Sequence, residues 1–231
     1  TPRSRVLILS YPSNPTGAVM PDHQLQAIAD LAIKHDLFVI CDEIYAELCY
    51  EEFRQRSIAS FPGMRERTMI VSGFSKAFAM TGFRLGYLCA PLEVVKACSR
   101  IHQYTIMCAS RQSQVAAYHA LKQGRESGYA EVQKMRESYD RRRRLMLSAF
   151  ENLGLDCFEP KGAFYTFPSI KKTGLSSEAF CERLLKEQRV VCVPGNAFGA
   201  SGEGHIRCCY ATATDKLLQA FDRIKVFLST L

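Results

Sequence analysis

Two short segments of the chain carry side chains suited to binding and activating a small charged molecule. Asp42 and Tyr45 follow a buried apolar run. A carboxylate at the end of a buried strand loses hydration energy unless it pairs with a cation. A protonated pyridine nitrogen is such a cation, and its proton keeps the ring electron-withdrawing. Tyr45 could present its hydroxyl to the same ligand. Lys76 follows another apolar run, among small residues and Phe74. Partial desolvation there favours the neutral amine, so the segment predicts Schiff-base chemistry.

Two further polar residues lie at turns beside apolar runs. Arg84 follows a turn at Gly82 and begins a predicted strand, so its planar guanidinium could be directed at a phosphate. Asn14 lies in the turn at residues 11–17, where its amide could donate to a phenolic oxygen. In open α/β sheets ligands bind beyond the carboxyl ends of the strands. We therefore expect these residues to form one site.

Each of these residues also has an ordinary structural explanation. Asp42 could cap a helix N-terminus, with Tyr45 on the surface. Lys76 could extend its charged end into water along apolar neighbours. Arg84 could form a structural ion pair, and Asn14 could be a simple turn residue. Their order along the chain and their shared position at strand ends favour a single ligand site.

Hydrophobic periodicity predicts the elements that position these residues. Continuous apolar runs, typical of parallel strands covered on both faces, predict strands at residues 5–10, 37–41, 68–71 and 85–89. Helices are predicted at residues 22–35, 92–102, 110–122 and 129–153, the first capped by Asp22 and buried through Leu25, Ile28, Ala29 and Ala32. This alternation predicts an α/β fold with a mainly parallel sheet and flanking helices. Since so buried a sheet needs more than four strands, we expect further chain before Thr1.

After the helix predicted at residues 129–153, the predicted strands are shorter and the order of elements is mixed. Short strands at residues 163–167, 190–193 and 205–210 are predicted to mix with helices at residues 176–188 and 214–228. This mixture indicates a smaller α+β domain after the long helix.

Composition narrows the class of protein. No apolar run approaches the roughly 20 residues of a membrane span. The ten cysteines lie mostly within apolar stretches without zinc-ligand spacing, which predicts free thiols in a reducing cytoplasm rather than disulfides. The net charge is +7, and its densest basic run, residues 141–144, is interpreted as a solvated helix face rather than a nucleic-acid patch.

These segments resemble the fold-type I pyridoxal-phosphate-dependent aminotransferases of class I/II, the aspartate/aromatic aminotransferase-like group. The resemblance runs through the whole chain, and the matching motifs are Tyr11-Pro12-Ser13-Asn14-Pro15-Thr16-Gly17, Cys41-Asp42-Glu43-Ile44-Tyr45, Ser75-Lys76 through Tyr87, Pro160-Lys161-Gly162-Ala163-Phe164-Tyr165, Pro194-Gly195-Asn196-Ala197-Phe198-Gly199 and His205-Ile206-Arg207.

The resemblance implies a role for each candidate residue toward pyridoxal 5'-phosphate. Lys76 would hold the cofactor as a Schiff base and then act as the general base. Asp42 would pair with the pyridinium nitrogen, and Tyr45 and Asn14 would hydrogen-bond the phenolic oxygen. Arg84 would bind the cofactor phosphate.

The resemblance also implies substrate contacts and shows departures. Arg207, with Asn14, would bind the substrate, Arg207 gripping its α-carboxylate. Gly73 stands where the family often has a phosphate-binding serine, so Ser75, or else Ser72, is a candidate substitute. Phe83 stands where the subgroup often has tryptophan.

The implied protein is an aminotransferase that moves an amino group from an L-amino acid, aspartate or an aromatic one, to a 2-oxo acid such as 2-oxoglutarate. Residues 1–123 would be the second half of the large cofactor-binding domain, and residues 124–231 a long interdomain helix with a small C-terminal domain. The resemblance implies a homodimer. The cysteines, the basic run and the lack of a long apolar run predict a cytoplasmic protein that binds neither nucleic acid nor membrane. Two alternatives remain: a C–S β-lyase of the same fold, and a non-catalytic aminotransferase-like fragment or regulatory domain.

Overall fold

The computed structural model describes residues 1–231, which form two compact units. Unit 1 comprises Thr1–Pro12 and Val19–Met135, and unit 2 comprises Ser13–Ala18 and Arg136–Leu231. The short Ser13–Ala18 segment therefore belongs to unit 2 although unit 1 flanks it on both sides. The predicted assignment of residues 1–123 and 124–231 to a cofactor-binding and a smaller domain stays a prediction.

Unit 1 is built on a four-stranded sheet. Its strands are β1 (Val6–Ser10), β2 (Phe38–Asp42), β3 (Thr68–Gly73) and β4 (Gly86–Cys89), in that spatial order. The first three are parallel, and β4 runs antiparallel to β3. All four strands were predicted, with ends displaced by one or two residues. Because β4 is reversed, it begins at the same edge at which the other three strands end.

Helix α1 (Asp22–Lys34) covers one face of this sheet. Leu25, Ala29 and Ala32 pack in a core with buried residues of β1 and β2, as their spacing predicted. The predicted cap is wrong, because Pro21 occupies the N-cap position and Asp22 is the first helical residue. The Asp22 carboxylate instead lies 3.3 Å from Arg56.

Within this chain, strand β1 is covered on only one of the two faces that its apolar run predicted to be covered. Val6 and Ile8 are 52% and 71% exposed, although both lie in a continuous apolar run. The α1 core encloses the alternate residues of this strand, among them the buried Leu9. Since neighbouring side chains of a strand point to opposite faces, the face bearing Val6 and Ile8 has no such cover.

The remaining helices of unit 1 follow the sheet. They are α2 (Leu92–Thr105) and α3 (Arg111–Ser127), and α4 (Ala130–Asn152) begins in this unit and continues into unit 2. Ser110 caps α3 by accepting a hydrogen bond from the Ser113 backbone, and Gly128 ends it in the left-handed conformation. Ala117 of α3 packs on the segment that follows β3.

Unit 2 combines a small antiparallel sheet with helices. Its further elements are β5 (Tyr165–Thr166), α5 (Ser177–Gln188), β6 (Val193–Pro194), β7 (Ile206–Cys209) and α6 (Thr214–Leu228), and the strand order is β5-β7-β6. Edge-to-face ring pairs join Phe150 to Phe221 and Phe180 to Phe227. The predicted helices are confirmed, but β6 begins where the strand predicted at residues 190–193 was expected to end.

The basic run at residues 141–144 is not a uniformly solvated face, so that interpretation is wrong for one of its members. Arg143 is only 1% exposed, and it pairs with Asp140 at 2.8 Å and Glu159 at 2.9 Å. Arg141 and Arg144 are exposed. A buried guanidinium is tolerated only where carboxylates and carbonyls satisfy it, so Arg143 has a structural task in unit 2.

Two composition-based expectations can be compared with the structure. All ten cysteines are free thiols, as predicted. None of the helices combines the length and apolarity required for a transmembrane span.

Candidate active site

Asp42 is the last residue of β2, and its carboxylate is fixed by the local chain. Its Oδ1 accepts a hydrogen bond from the Ile44 backbone at 3.0 Å, which is an Asx turn. A turn rather than a helix follows, so the helix-cap interpretation of Asp42 is wrong. Tyr45 is only 6% exposed, which also excludes a surface tyrosine. The Asx turn leaves Oδ2 of Asp42 for a ligand.

Lys76 lies just beyond the end of the neighbouring strand β3. It is half-buried, and its Nζ lies 5.7 Å from the centroid of the Tyr45 ring, within cation–π range. Since β2 and β3 are paired in parallel, the chain brings Asp42, Tyr45 and Lys76 to one edge of the sheet. The amine is therefore held over an aromatic face instead of extending freely into water.

Aromatic packing positions the segment that carries Lys76. Phe74 is buried, and its ring lies 5.4 Å from that of Phe78 and 5.8 Å from that of Tyr87. Its carbonyl accepts a hydrogen bond from the Met80 backbone at 3.2 Å. The loop around Lys76 is thus closed on itself and anchored to β4.

Arg84 lies at the same edge but not as the first residue of a strand. It adopts the left-handed conformation after a 3-10 turn at Thr81–Phe83, and β4 begins only at Gly86, so the predicted strand start is wrong. Its Nη1 donates to the Thr81 carbonyl at 2.9 Å. It makes no ion pair within this chain. Ser113 ties the turn to α3 by donating to the Phe83 carbonyl at 2.7 Å.

The two serines before Lys76, Ser72 and Ser75, differ in whether their hydroxyl groups are available to bind a ligand. Ser72 donates to the Glu43 carbonyl at 3.4 Å, whereas the half-buried Ser75 hydroxyl makes no hydrogen bond within the chain. Ser75 is thus the better placed of the two to bind a ligand. At Gly73 a Cβ atom would lie 2.9 Å from the Gly86 Cα, so glycine permits the close approach of β3 and β4.

Glu43, beside Asp42, was not singled out from the sequence. Burial raises the pKa of its carboxyl, although a hydrogen bond with Ser57 opposes the shift. Its Oε1 is buried and has no hydrogen-bond partner. Burial therefore disfavours the ionised form of the Glu43 carboxyl. Glu43 is distinguished only by the partial burial of its side chain, which the sequence motif does not reveal.

Arg207 of β7 is surrounded by three groups within unit 2. Its Nη1 donates to Asn14 Oδ1 at 2.8 Å. Its Cζ lies 4.5 Å from the centroid of the Tyr165 ring and 4.9 Å from that of Phe198. Because guanidinium can only donate, the amide oxygen of Asn14 faces Arg207 and its two N–H donors face elsewhere. The rings fix the orientation of the guanidinium, which suits it to a carboxylate.

The turn that carries Asn14 is held by close backbone contact. The carbonyl of Gly17 accepts hydrogen bonds from the backbones of Lys161 and Gly162, both at 3.0 Å. Gly17 has φ +69°, and a Cβ there would lie 2.3 Å from the Cβ of Pro160. Only glycine therefore fits at this position.

The buried Arg143 supports this contact from the other side. It donates to the Pro160 carbonyl at 3.1 Å, while its ion pairs with Asp140 and Glu159 neutralise it. Arg143 thus fixes the turn on which Gly17 rests.

The structure gathers the predicted residues into two groups, one in each unit. Asp42, Tyr45, Ser75, Lys76 and Arg84 lie at one edge of the sheet in unit 1, and Asn14 lies with Arg207 in unit 2. Tyr165 and Phe198 were not singled out as functional residues from the sequence. Both residues belong to motifs that resemble the family. However, they contact Arg207 only in the folded chain, and residues so distant in sequence leave no local pattern that would reveal the contact.

Known proteins resemble the chain over nearly its full length. Residues 1–224 match the family model for aminotransferase class I and II. The chain is 51% identical to putative aminotransferase YugH of Bacillus subtilis and 48% identical to aromatic-amino-acid aminotransferase 2 of Thermococcus litoralis, over 99% of the chain in each case. The crystal structure of an aromatic aminotransferase from Pyrococcus horikoshii matches all of the chain with a TM-score of 0.95 at 47% identity.

The similarity covers only part of each relative. The chain spans 58% of the length of the two curated relatives and 61% of the Pyrococcus structure. The predicted α/β fold, with a mainly parallel sheet and flanking helices, is confirmed by the structure and by this similarity. The family match extends over both units and includes every motif quoted above, so the chain belongs to the aminotransferase class I and II family.

Proposed function

We propose that the protein carrying this chain is a pyridoxal-phosphate-dependent aminotransferase, which moves an amino group from an L-amino acid to a 2-oxo acid such as 2-oxoglutarate in a ping-pong reaction. One observation carries the proposal: the Lys76 amine lies over the buried Tyr45 ring, at the sheet edge where β2 ends in Asp42. Family membership supports the same reaction class.

The residues at this edge fit pyridoxal phosphate. Oδ2 of Asp42 and the hydroxyl of Ser75 make no hydrogen bond within the chain, and Arg84 uses one nitrogen only, toward the Thr81 carbonyl. A carboxylate suits the protonated ring nitrogen, and a hydroxyl with a guanidinium suits the phosphate. When bound, the cofactor withdraws electrons from the substrate α-carbon and carries the amino group between the two half-reactions.

Each residue then has one task. Lys76 Nζ would hold the cofactor, and as general base it would take the proton from the substrate α-carbon. Asp42 keeps a proton on the ring nitrogen, while Tyr45 and Asn14 donate to the phenolic oxygen. Arg207 binds the α-carboxylate through its planar fork.

Reductive trapping tests the lysine. Borohydride treatment of the full-length protein with excess cofactor should leave a pyridoxyl group on Lys76, identified by peptide mass spectrometry, and Lys76→Arg should leave none there. A pyridoxyl group on another lysine, or no adduct, would overturn the assignment.

A product assay tests the reaction class. Amino acid with 2-oxoglutarate should give glutamate, whereas cystathionine alone should give neither pyruvate nor ammonia. Release of pyruvate and ammonia without an oxo-acid acceptor would instead identify a C–S β-lyase. If the cofactor is trapped but the protein shows neither transaminase nor lyase activity, the protein is a non-catalytic aminotransferase-like protein.

We further propose aromatic amino acids or aspartate as amino donors. The names of the Thermococcus and Pyrococcus relatives support the aromatic choice. Comparing kcat/KM for tyrosine, phenylalanine and aspartate at fixed 2-oxoglutarate decides between the donors. Values for all three far below those for another amino acid would reject both.

We also propose that the protein works as a cytoplasmic homodimer. Large apolar side chains are exposed along α2 and just beyond it, Ile101 by 70%, Tyr104 by 89% and Met107 by 81%. Exposed apolar patches of this kind typically mark interfaces. The free thiols are consistent with a reducing compartment.

A further inference from the structure

Two cysteines of unit 2 lie in direct contact on neighbouring strands. The Sγ atoms of Cys192 and Cys208 are 3.6 Å apart. Strands β6 and β7 pair antiparallel, with Val193 opposite Arg207 and Pro194 opposite Ile206. Extending this register by one residue places Cys192 opposite Cys208.

The register also fixes the kind of pair. Proline has no N–H, and the Ile206 N–H donates to the Pro168 carbonyl at 3.2 Å, so Pro194 and Ile206 are a non-hydrogen-bonded pair. The two kinds of pair alternate in antiparallel sheets, which makes Cys192 and Cys208, two residues further along, a non-hydrogen-bonded pair as well. Cα atoms in such a pair lie about 4.5 Å apart. That separation falls within the range that disulfides span, roughly 4.4–6.8 Å.

We propose that Cys192 and Cys208 form a reversible disulfide when the protein meets a low-molecular-weight disulfide such as oxidised glutathione. The inference does not depend on the proposed function, because the contact and the register of the two cysteines carry it.

Exposure sets the order of the exchange. Cys192 is half-buried and Cys208 is buried, so the thiolate of Cys192 attacks glutathione disulfide first. This step forms a mixed disulfide and releases one glutathione thiolate. Cys208 then loses its proton and attacks the Cys192 sulfur, which releases the second glutathione. Two protein thiols are oxidised, and one glutathione disulfide is reduced to two thiols.

The surroundings of Cys208 agree with this order. Its hydrogen bond with Cys192, and then burial, raise the pKa of the Cys208 thiol well above its usual value. A raised pKa disfavours the thiolate, so Cys208 is a poor nucleophile toward glutathione disulfide in the first step.

A third thiol provides the matched control. Cys181 of α5 is buried close enough to Cys192 to interact electrostatically, and burial raises the pKa of the Cys181 thiol to about 12. It does not stand in the cross-strand register. Cys181→Ser should therefore leave the disulfide unchanged.

The test is a redox titration of the full-length protein. The reduced protein is equilibrated in glutathione buffers of increasing oxidation, quenched in acid, alkylated under denaturing conditions and digested. Mass spectrometry should find a peptide pair cross-linked through Cys192 and Cys208, which dithiothreitol removes. Cys192→Ser and Cys208→Ser should each abolish it.

The ratio of reduced to oxidised glutathione in each quenched sample reports the redox potential that was reached. If Cys192 and Cys208 in the unmodified sequence are both still alkylated as free thiols in the most oxidising buffer, the proposal is wrong. Loss of the cross-link in a Cys181→Ser protein whose melting temperature matches that of the unmodified protein would overturn it as well. The principal measurement is made without any substitution, so variants that fail to fold leave the result intact.

Discussion

At the scale of single residues, the chemistry of Asp42 and Lys76 comes from their surroundings rather than from their types. Lys76 is held over the Tyr45 ring, and Asp42 is held by the backbone of Ile44. The neighbouring Glu43 is half-buried, and burial raises the pKa of its carboxyl. The two adjacent carboxyl groups therefore lie in different environments, and Asp42 is the one whose Oδ2 is left for a ligand.

The charge of Asp42 can be removed without disturbing its turn. In Asp42→Asn the amide oxygen can still accept the hydrogen bond from Ile44, so stability should change little. The loss of the carboxylate should lower kcat by about 100-fold or more, in the range lost with a proton-holding group. Steady-state kinetics with a parallel thermal melt measures both effects. A folded variant with kcat within about threefold of the unmodified enzyme would remove Asp42 from the proposed site.

Arg207 provides a second test at this scale. Arg207→Lys retains the charge but loses the planar fork, so KM for the amino donor should rise by roughly 10- to 100-fold, as expected from losing one strong charged hydrogen bond. The exposed Arg141 gives the matched control, Arg141→Lys, which should leave KM unchanged. An unchanged KM in Arg207→Lys would contradict the carboxylate role.

At the scale of elements, long periodic segments were predicted well and short ones poorly. The helix predicted at residues 214–228 is α6, and the long basic helix is α4 within one residue at each end. Such helices carry their own periodicity. In contrast, β5 and β6 contain two residues each, and only their pairing with β7 defines them. Pairing partners are distant in the chain, so no local pattern sets these bounds.

The contact that holds the Asn14 turn can be tested through glycine. Gly17→Ala should lower the free energy of unfolding by about 2–4 kcal/mol, because a left-handed conformation and a backbone clash are both imposed. Gly154 is a matched control, since its φ is +70° and a Cβ there would meet nothing within 4 Å. Gly154→Ala should cost only about 1 kcal/mol. Denaturant unfolding compares the two, and equal losses would show that the close approach at Gly17 is unimportant.

At the scale of the whole molecule, the sequence indicated the family better than it indicated the packing around the candidate site residues. The order of Asn14, Asp42, Lys76, Arg84 and Arg207 along the chain was enough to indicate the family. The rings of Tyr165 and Phe198 beside Arg207, and the burial of Arg143 inside a basic run, were not predictable. Each depends on which distant residues meet, which composition and spacing do not encode.

The proposed dimer is a prediction at this scale. Arginine in place of both Ile101 and Met107 should break a dimer formed through this patch, because two charges would replace exposed apolar contacts. Leu218→Arg is the control, since Leu218 is 51% exposed on α6 of the other unit. Sedimentation velocity should show a dimer for the unmodified protein and the control and a monomer for the double variant. A monomeric unmodified protein would reject the dimer, and a dimeric double variant would place its interface elsewhere.

The chain leaves unit 1 after Pro12, returns to it at Val19 and leaves it again after Met135. Neither unit is therefore encoded by one uninterrupted stretch of gene. A gene fragment that began at Arg136 would encode Arg207 without Asn14 and would leave the Pro160 turn without Gly17. An exchange of the second unit with that of a relative must therefore include the codons for residues 13–18. Otherwise the arginine at position 207 and the asparagine at position 14 will come from different proteins.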